Sequence, residues 1–275
     1  MPSALVTGTR QGIGAAICLR LANAGWTVHA GVREEAQAEH LRAQNPLIRP
    51  IQLDITNEQH VTTLADRLGG PLDAVVNNAG IAHGGPVEAV PPHEWRACFD
   101  VNVVAQVVVT QAVLPKLRES QGRVVFISST VGRTVATLEG PSSASKFALE
   151  AVADILRIEL RPWQIFVSVI EPGPTNTETW RNMGGMLDEM EAGLSPAHRE
   201  LYRQHLLGLR KLLSTLGSRG GSPDLVAKYV ERALTDRHPK ARYAAGAQAV
   251  VLANMGRVLP TRVGDAMAAR MGGWK

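Results

Sequence analysis

The sequence predicts an α/β fold built on a doubly wound, mostly parallel sheet, and three observations predict it. Short apolar runs alternate along the chain with segments of helical periodicity. A glycine-rich turn follows the first of those runs and opens into a helix. The length, 275 residues with 45% hydrophobic, suits one large α/β domain with a sizeable core.

Taken in order, the expected strands run from Ala4 to Thr7, Thr27 to Val32, Ile48 to Leu53, Ala74 to Asn77, Val124 to Ser128 and Phe166 to Ile170. Helices between successive strands imply βαβ crossovers and a mostly parallel sheet covered on both faces, a single Rossmann-like domain over residues 1–275. A seventh strand is expected at Arg242 to Ala245. It follows a helix that begins at Ser222-Pro223-Asp224, with serine as cap and proline at the first helical position. Residues 178–221 break the rhythm. Gly184-Gly185 and Gly220-Gly221 punctuate the stretch, and between them Leu201, Leu206, Leu209, Leu212 and Leu213 recur at helical intervals with Arg203, Arg210 and Lys211 opposite. The pattern fits a helical lid over a substrate, and equally leucines packed on the body of the domain or in a subunit interface.

Composition narrows the function classes. The net charge is +4, but 29 basic residues are dispersed among 25 acidic ones without a recognition motif, so no nucleic-acid partner is expected. Cys18 and Cys98 have neither metal-ligand spacing nor the density of a disulfide scaffold; they read as small core hydrophobes, and no metal is expected. The longest apolar run, Val103 to Val109, is far short of the roughly 20 residues of a membrane span. The N-terminus enters an apolar strand at once, so a cytoplasmic protein without a membrane segment is expected.

The turn reads Thr7-Gly8-Thr9-Arg10-Gln11-Gly12-Ile13-Gly14. Glycines there permit a tight turn and let backbone amides approach a pyrophosphate, while the positive end of the helix favours the anion. A carboxylate closing the second strand would bind the ribose 2′-hydroxyl of NAD(H). This strand ends Gly31-Val32-Arg33, and Arg33 with Arg10 favours NADP(H) over NAD(H). The alternative is that Arg33 pairs with Glu34 or Glu35 on the surface.

Further motifs follow in order: Leu53-Asp54-Ile55-Thr56, Asn77-Asn78-Ala79-Gly80, Asp100-Val101-Asn102-Val103, Ile127-Ser128-Ser129, Ser142-Ser143-Ala144-Ser145-Lys146 and Glu171-Pro172-Gly173-Pro174-Thr175-Asn176-Thr177. Over residues 4–177 the chain resembles the short-chain dehydrogenases/reductases. Its tail, with Ser222-Pro223-Asp224, Ala241-Arg242-Tyr243 and Leu259-Pro260-Thr261-Arg262, resembles the branch holding hydroxysteroid and retinol dehydrogenases. The resemblance implies hydride exchange between a nicotinamide cofactor and a small carbonyl or alcohol substrate. It assigns the cofactor to Gly8, Thr9, Arg10, Gln11, Gly12, Ile13, Gly14, Arg33, Asp54, Ile55, Asn78, Ala79, Gly80, Lys146, Pro172, Gly173, Thr175 and Thr177, with Asp54 and Ile55 on the adenine and Thr177 on the carboxamide. Asn102 would organise a proton path behind Lys146, and Ser129 would orient the substrate oxygen. A homodimer or homotetramer through the helices near Asn102 and Lys146 is also implied.

One position departs from the pattern. Ser142 stands where the family has the tyrosine that donates the proton, thirteen residues after Ser129 and four before Lys146. An alkyl hydroxyl is far less acidic than a phenol of pKa about 10, and its oxygen lies nearer the backbone. Losing a positioned acid costs about 10² to 10⁴ in rate. Tyr202, Tyr229 and Tyr243 all lie outside the segment. Four readings stay open: another donor (Lys146 through a water, Glu139 or His83), a non-redox reaction such as dehydration, isomerisation or cyclisation, a cofactor-binding regulatory protein, or an engineered inactive variant. The plainer readings are a solvated loop acid for Glu139 and a surface histidine for His83. Trp180 and Met183 would line the substrate pocket or pack in the core, and His93 is given no chemistry.

Overall fold

Strands form where four to seven mainly apolar residues are bounded by turn formers, and helices fill every interval between them. The computed structural model describes residues 1–34, 36–216, 220–258 and 260–271. Its elements run β1 (Ser3–Val6), α1 (Gly12–Asn23), β2 (Thr27–Val32), α2 (Ala36–Gln44), β3 (Ile48–Gln52), α3 (Glu58–Thr62), α4 (Leu64–Arg67), β4 (Ala74–Asn77), α5 (Pro92–Phe99), a π-helical turn (Asp100–Val104), α6 (Ala105–Ser120), β5 (Arg123–Ile127), α7 (Gly140–Glu159) and β6 (Phe166–Pro172). Then follow α8 (Glu178–Arg181), α9 (Met183–Gly193), α10 (Pro196–Leu201), α11 (Arg203–Leu216), α12 (Pro223–Thr235), β7 (Arg242–Ala245), α13 (Ala247–Val258) and α14 (Thr261–Met271).

The seven strands pair in the order β3-β2-β1-β4-β5-β6-β7, all parallel. Every residue of β1 and β4 is buried, as both-face coverage requires. On one face Ile17, Leu21, Val226 and Val230 of α1 and α12 close the core; on the other, Val109 of α6 and Leu149 of α7 pack over Leu5, Val75 and Phe126. Strand order reverses between β1 and β4, and the crevice beyond their carboxyl ends is where such a sheet places its ligand.

The seventh strand and the serine-capped helix stand where the sequence places them, with Ser222 Oγ accepting from the Asp224 N–H at 3.1 Å. The sixth strand runs on to Pro172 because Val169–Pro172 pairs with Arg242–Ala245. Within the 178–221 excursion Leu206 is buried, and Leu209 and Leu213 pack beside it against Leu138, Leu187 and Leu194. Leu201 does not join them: it closes α10, the chain turns at Tyr202, and the side chain is 68% exposed. Arg210 ties α11 to α9 through Asp188 at 2.6 Å and Glu191 at 2.7 Å. Residues 217–219 of the excursion, Glu35 and Leu259 lie outside the described residues. By length and composition alone the helical stretch Pro92–Ser120 is apolar enough to cross a membrane; half of its apolar window is buried in the fold.

Two buried carboxylates are held by arginines near the end of β6. Arg242 reaches Glu150 at 2.9 Å, Asp154 at 2.8 Å and Glu171 at 3.5 Å, and Arg133 reaches Glu171 at 3.2 Å. Glu150 and Glu171 are almost wholly buried, so their charges depend on these partners. Breaking a buried pair from one side costs about 3 to 5 kcal/mol. Arg242→Met is therefore expected to lower the urea-unfolding free energy by about that amount, and a loss below about 1 kcal/mol would contradict the role given to the network.

Candidate active site

The cofactor-binding candidates form a cradle at the β1–β4 crevice. Gly8 and Gly12 have φ of 67° and 62°, a region that favours glycine. A Cβ on Gly8 would meet Ala79 Cα at 2.8 Å, one on Gly12 would meet Thr177 Cγ2 at 3.2 Å, and one on Gly14 would run into the Gly8 carbonyl and Asn78 Nδ2. Thr7 Oγ1 accepts from the N–H groups of Asn78 and Ala79 at 3.0 Å each, and Asn78 Nδ2 donates back to the carbonyls of Thr7 and Gly8 at 2.9 Å. Thr9 bonds to the Gly31 carbonyl through both its N–H and its hydroxyl. At the start of α1, Gln11 is extended without a side-chain cap, and the first turn holds no acid. Those free N–H groups and the helix dipole suit a phosphate.

Around the cradle, Arg33 is exposed at the end of β2, and Arg10 stands 3.5 Å from Glu178. Asp54 accepts from the backbone N–H and hydroxyl of Thr56 at 2.9 and 2.7 Å, beside the buried Ile55. Thr177 caps α8 by accepting from the Trp180 N–H.

At the other end of the crevice the π-helical turn presents Asn102, and such bulges recur at functional sites. Its side chain accepts from the Ile81 N–H, donates to the Ile81 carbonyl, both at 2.9 Å, and reaches Ser145 Oγ at 3.0 Å. Lys146 Nζ donates to the Ile127 carbonyl at 2.9 Å. Burial pulls its ammonium down to about 8, with the Glu150 charge opposing. Ser129 caps a short turn over Thr130–Gly132.

Ser142 has a different engagement. Its hydroxyl accepts from the His83 N–H at 2.9 Å and donates to the His83 carbonyl at 2.8 Å. Its one proton is therefore committed to backbone. Ser142 and Lys146 do not hydrogen-bond each other, so the pair is not arranged as nucleophile and base.

A cavity of about 760 Å³ gathers Asn102, Ser129, Ser142, Lys146, Pro172, Gly173, Thr175, Thr177 and Ile13. The remaining cofactor candidates lie on the glycine loop and just past the ends of β2, β3 and β4. Apolar side chains dominate the far wall, among them Leu187, Met190, Leu209 and Leu213, together with Trp180 and Met183. His83 and Glu139, each read from sequence either as a substitute donor or as a surface group, both line the cavity. His83 Nδ1 is 3.6 Å from Glu94 Oε2, an ion-pair distance, and burial pushes the Glu139 carboxyl up. Glu94 was not among the sequence candidates, because its pairing with His83 follows no periodicity. His93 is exposed. Cys18 and Cys98 are both buried and free, as small core side chains.

Removing the Ser142 hydroxyl would leave both His83 backbone groups without their partner. Ser142→Ala is expected to cost about 1 to 3 kcal/mol, read by chemical denaturation; an unchanged unfolding free energy would contradict the structural role.

Comparison with known proteins agrees with this geometry. The family model described as short chain dehydrogenase matches residues 2–187. The chain is 33% identical to an NADPH-dependent 3-dehydrocapnine reductase of Ornithobacterium rhinotracheale, covering 96% of this chain and 95% of that protein. It is 34% identical to retinol dehydrogenase 5 of Mus musculus, over 95% and 86%. A crystal structure of a short chain dehydrogenase from Burkholderia cenocepacia J2315 in complex with NADP superimposes with a TM-score of 0.75 at 26% identity, covering 98% of this chain and 97% of that one. With the crevice, the glycine cradle and the lysine helix in place, the chain belongs to the short-chain dehydrogenase/reductase family of oxidoreductases.

Proposed function

We propose that this protein is an NADP(H)-dependent oxidoreductase interconverting a bulky apolar carbonyl compound and its alcohol, with proton transfer impaired because Ser142 stands at the tyrosine position. The observation that carries the reading is the contrast between a complete cofactor cradle and a Ser142 hydroxyl already committed to His83. The choice of NADP(H) over NAD(H) is supported by Arg33 and Arg10 and by the absence of an acid from β2 (Thr27–Val32) and from Arg33 next to it. The NADPH dependence of the Ornithobacterium relative and the NADP held by the Burkholderia structure point the same way.

In this reading the glycine loop, Arg10, Arg33, Asp54, Ile55 and the Asn78-Ala79-Gly80 segment hold the nucleotide, and Pro172, Gly173, Thr175 and Thr177 hold the nicotinamide side. A bound reduced nicotinamide supplies the hydride. Ser129 orients the substrate oxygen, and Lys146 interacts with the cofactor. The apolar wall of α9 and α11 sets the size and polarity of the substrate. Residues 1–275 act as one domain, with 178–221 as a lid. Val104, Val108, Ile155 and Ile158, exposed on the outer faces of the π-helical turn, α6 and α7, fit a homodimer or homotetramer in the cytoplasm.

Two measurements test the proposal. NADPH oxidation with apolar ketones and aldehydes is expected to be slow and to rise by about 10² to 10⁴ in Ser142→Tyr, the usual worth of a positioned acid. No oxidation by either form across a broad carbonyl panel would favour the non-redox reading. The second uses Lys146, whose pKa near 8 would be raised by an anionic cofactor. Binding then takes up a proton, so NADPH affinity falls as pH rises from about 7 to about 9.5, and Lys146→Met flattens the profile. An unchanged slope in the variant would contradict the assignment.

A further inference from the structure

The cavity that lacks a positioned phenol contains a carboxyl without a partner. Glu139 immediately precedes α7, one turn ahead of Ser142, and lines the cavity with Ser129, Ser142 and Lys146. Among the described residues no hydrogen bond or ion pair engages its carboxyl, and burial pushes it up with no cation to offset the effect. Of the other two carboxyls lining the cavity, Glu94 has His83 and Glu189 is exposed to solvent. Lys146 is turned to the Ile127 carbonyl. No arginine lines the cavity among the described residues, and most of its wall is apolar.

A lone carboxyl in an apolar cavity is stabilised in its ionised form by a cation placed against it. The chemistry of the missing acid points the same way. Reducing a carbonyl places charge on an oxygen that must be protonated, whereas reducing an iminium ends on a neutral amine. The second reaction needs no phenol.

We infer that this cavity accepts an apolar cation of the amine class, and that the protein reduces a C=N⁺ double bond with Glu139 as the counter-ion of the substrate. In the step, a C–H bond forms at the iminium carbon as the C4–H bond of the reduced nicotinamide breaks. The C=N π pair passes to nitrogen, leaving it neutral; the iminium is reduced, the nicotinamide is oxidised, and no proton is taken up. The inference rests on the hydride-transfer reading above and, at the same site, replaces the C=O group of the substrate by C=N⁺. It accounts together for the unpartnered Glu139, the committed Ser142 hydroxyl and the retained cradle.

The test uses the full chain with NADPH and two probes of matched size, an N-methylated dihydroisoquinolinium and a bicyclic aromatic ketone. The iminium is expected to show a kcat/KM at least about 10²-fold above the ketone, since only the ketone needs the absent acid. A separate calorimetric readout uses the NADP-loaded protein and a quaternary tetrahydroisoquinolinium that cannot be reduced, with its neutral carbon isostere as control. Glu139→Gln is expected to weaken the cation by about tenfold or more while leaving the isostere within about twofold. Equal turnover of ketone and iminium, or unchanged cation affinity in Glu139→Gln, would overturn the inference. Ketone reduction that disappears in Glu139→Gln without loss of cation binding would also overturn it, by making Glu139 a proton donor. If the protein binds NADPH and reduces ketones alone, only this inference fails; if it transfers no hydride to either probe, the hydride-transfer reading fails and takes the inference with it.

Discussion

The site depends on how the segment after β4 is held. Residues 78–83 are fixed at three successive points by three parts of the chain: Thr7 takes the N–H groups of Asn78 and Ala79, Asn102 takes both backbone groups of Ile81, and Ser142 takes both backbone groups of His83. Each clamp satisfies polar backbone that would otherwise be left unpaired near the crevice. Together they bring the glycine loop, the π-helical turn and α7 to one cavity. Ser142 therefore contributes to the architecture of the site even though it makes a poor acid.

That arrangement separates two requirements that a phenol at this position would combine. The framework of the crevice rests on backbone hydrogen bonds and glycine geometry. The proton chemistry relies on acidity and reach, and a serine held against backbone supplies neither. Around this gap the cavity is lined by ionisable side chains in distinct surroundings, among them Lys146, buried against the Ile127 carbonyl, His83 beside Glu94, and Glu139 without an ion-pair partner. Burial moves the Lys146 ammonium down and the Glu139 carboxyl up, because it disfavours the charged form of each.

The fold was legible because its determinants are local. Alternating apolar runs, the glycine spacing and the serine-proline helix start each lie within a few residues, and each reappears as the expected element. The tight turn after β1 was equally legible in Gly8, Gly12 and Gly14, whose backbone requirement leaves a direct trace in the sequence. What remained hidden is long-range. The partner of Ser142 is 59 residues away and engages through backbone atoms that carry no sequence signature. The His83–Glu94 contact and the Arg242 network depend on how the helices dock. Leu201 matched the leucine period of the excursion yet points to solvent, because the chain turns at Tyr202 and begins a new helix. Glu139 was named from sequence as a candidate donor, but its loop position left a solvated acid open as well, and only the packing of the loop shows it lining the cavity.

The central claim is that this site transfers hydride although the phenol is absent. The most direct measurement is the mass of product formed with NADPH carrying deuterium at the transferred position of C4. The account predicts one deuterium in the reduced product, with stoichiometric formation of the oxidised cofactor. Product formed without label, with the cofactor unchanged, would contradict it.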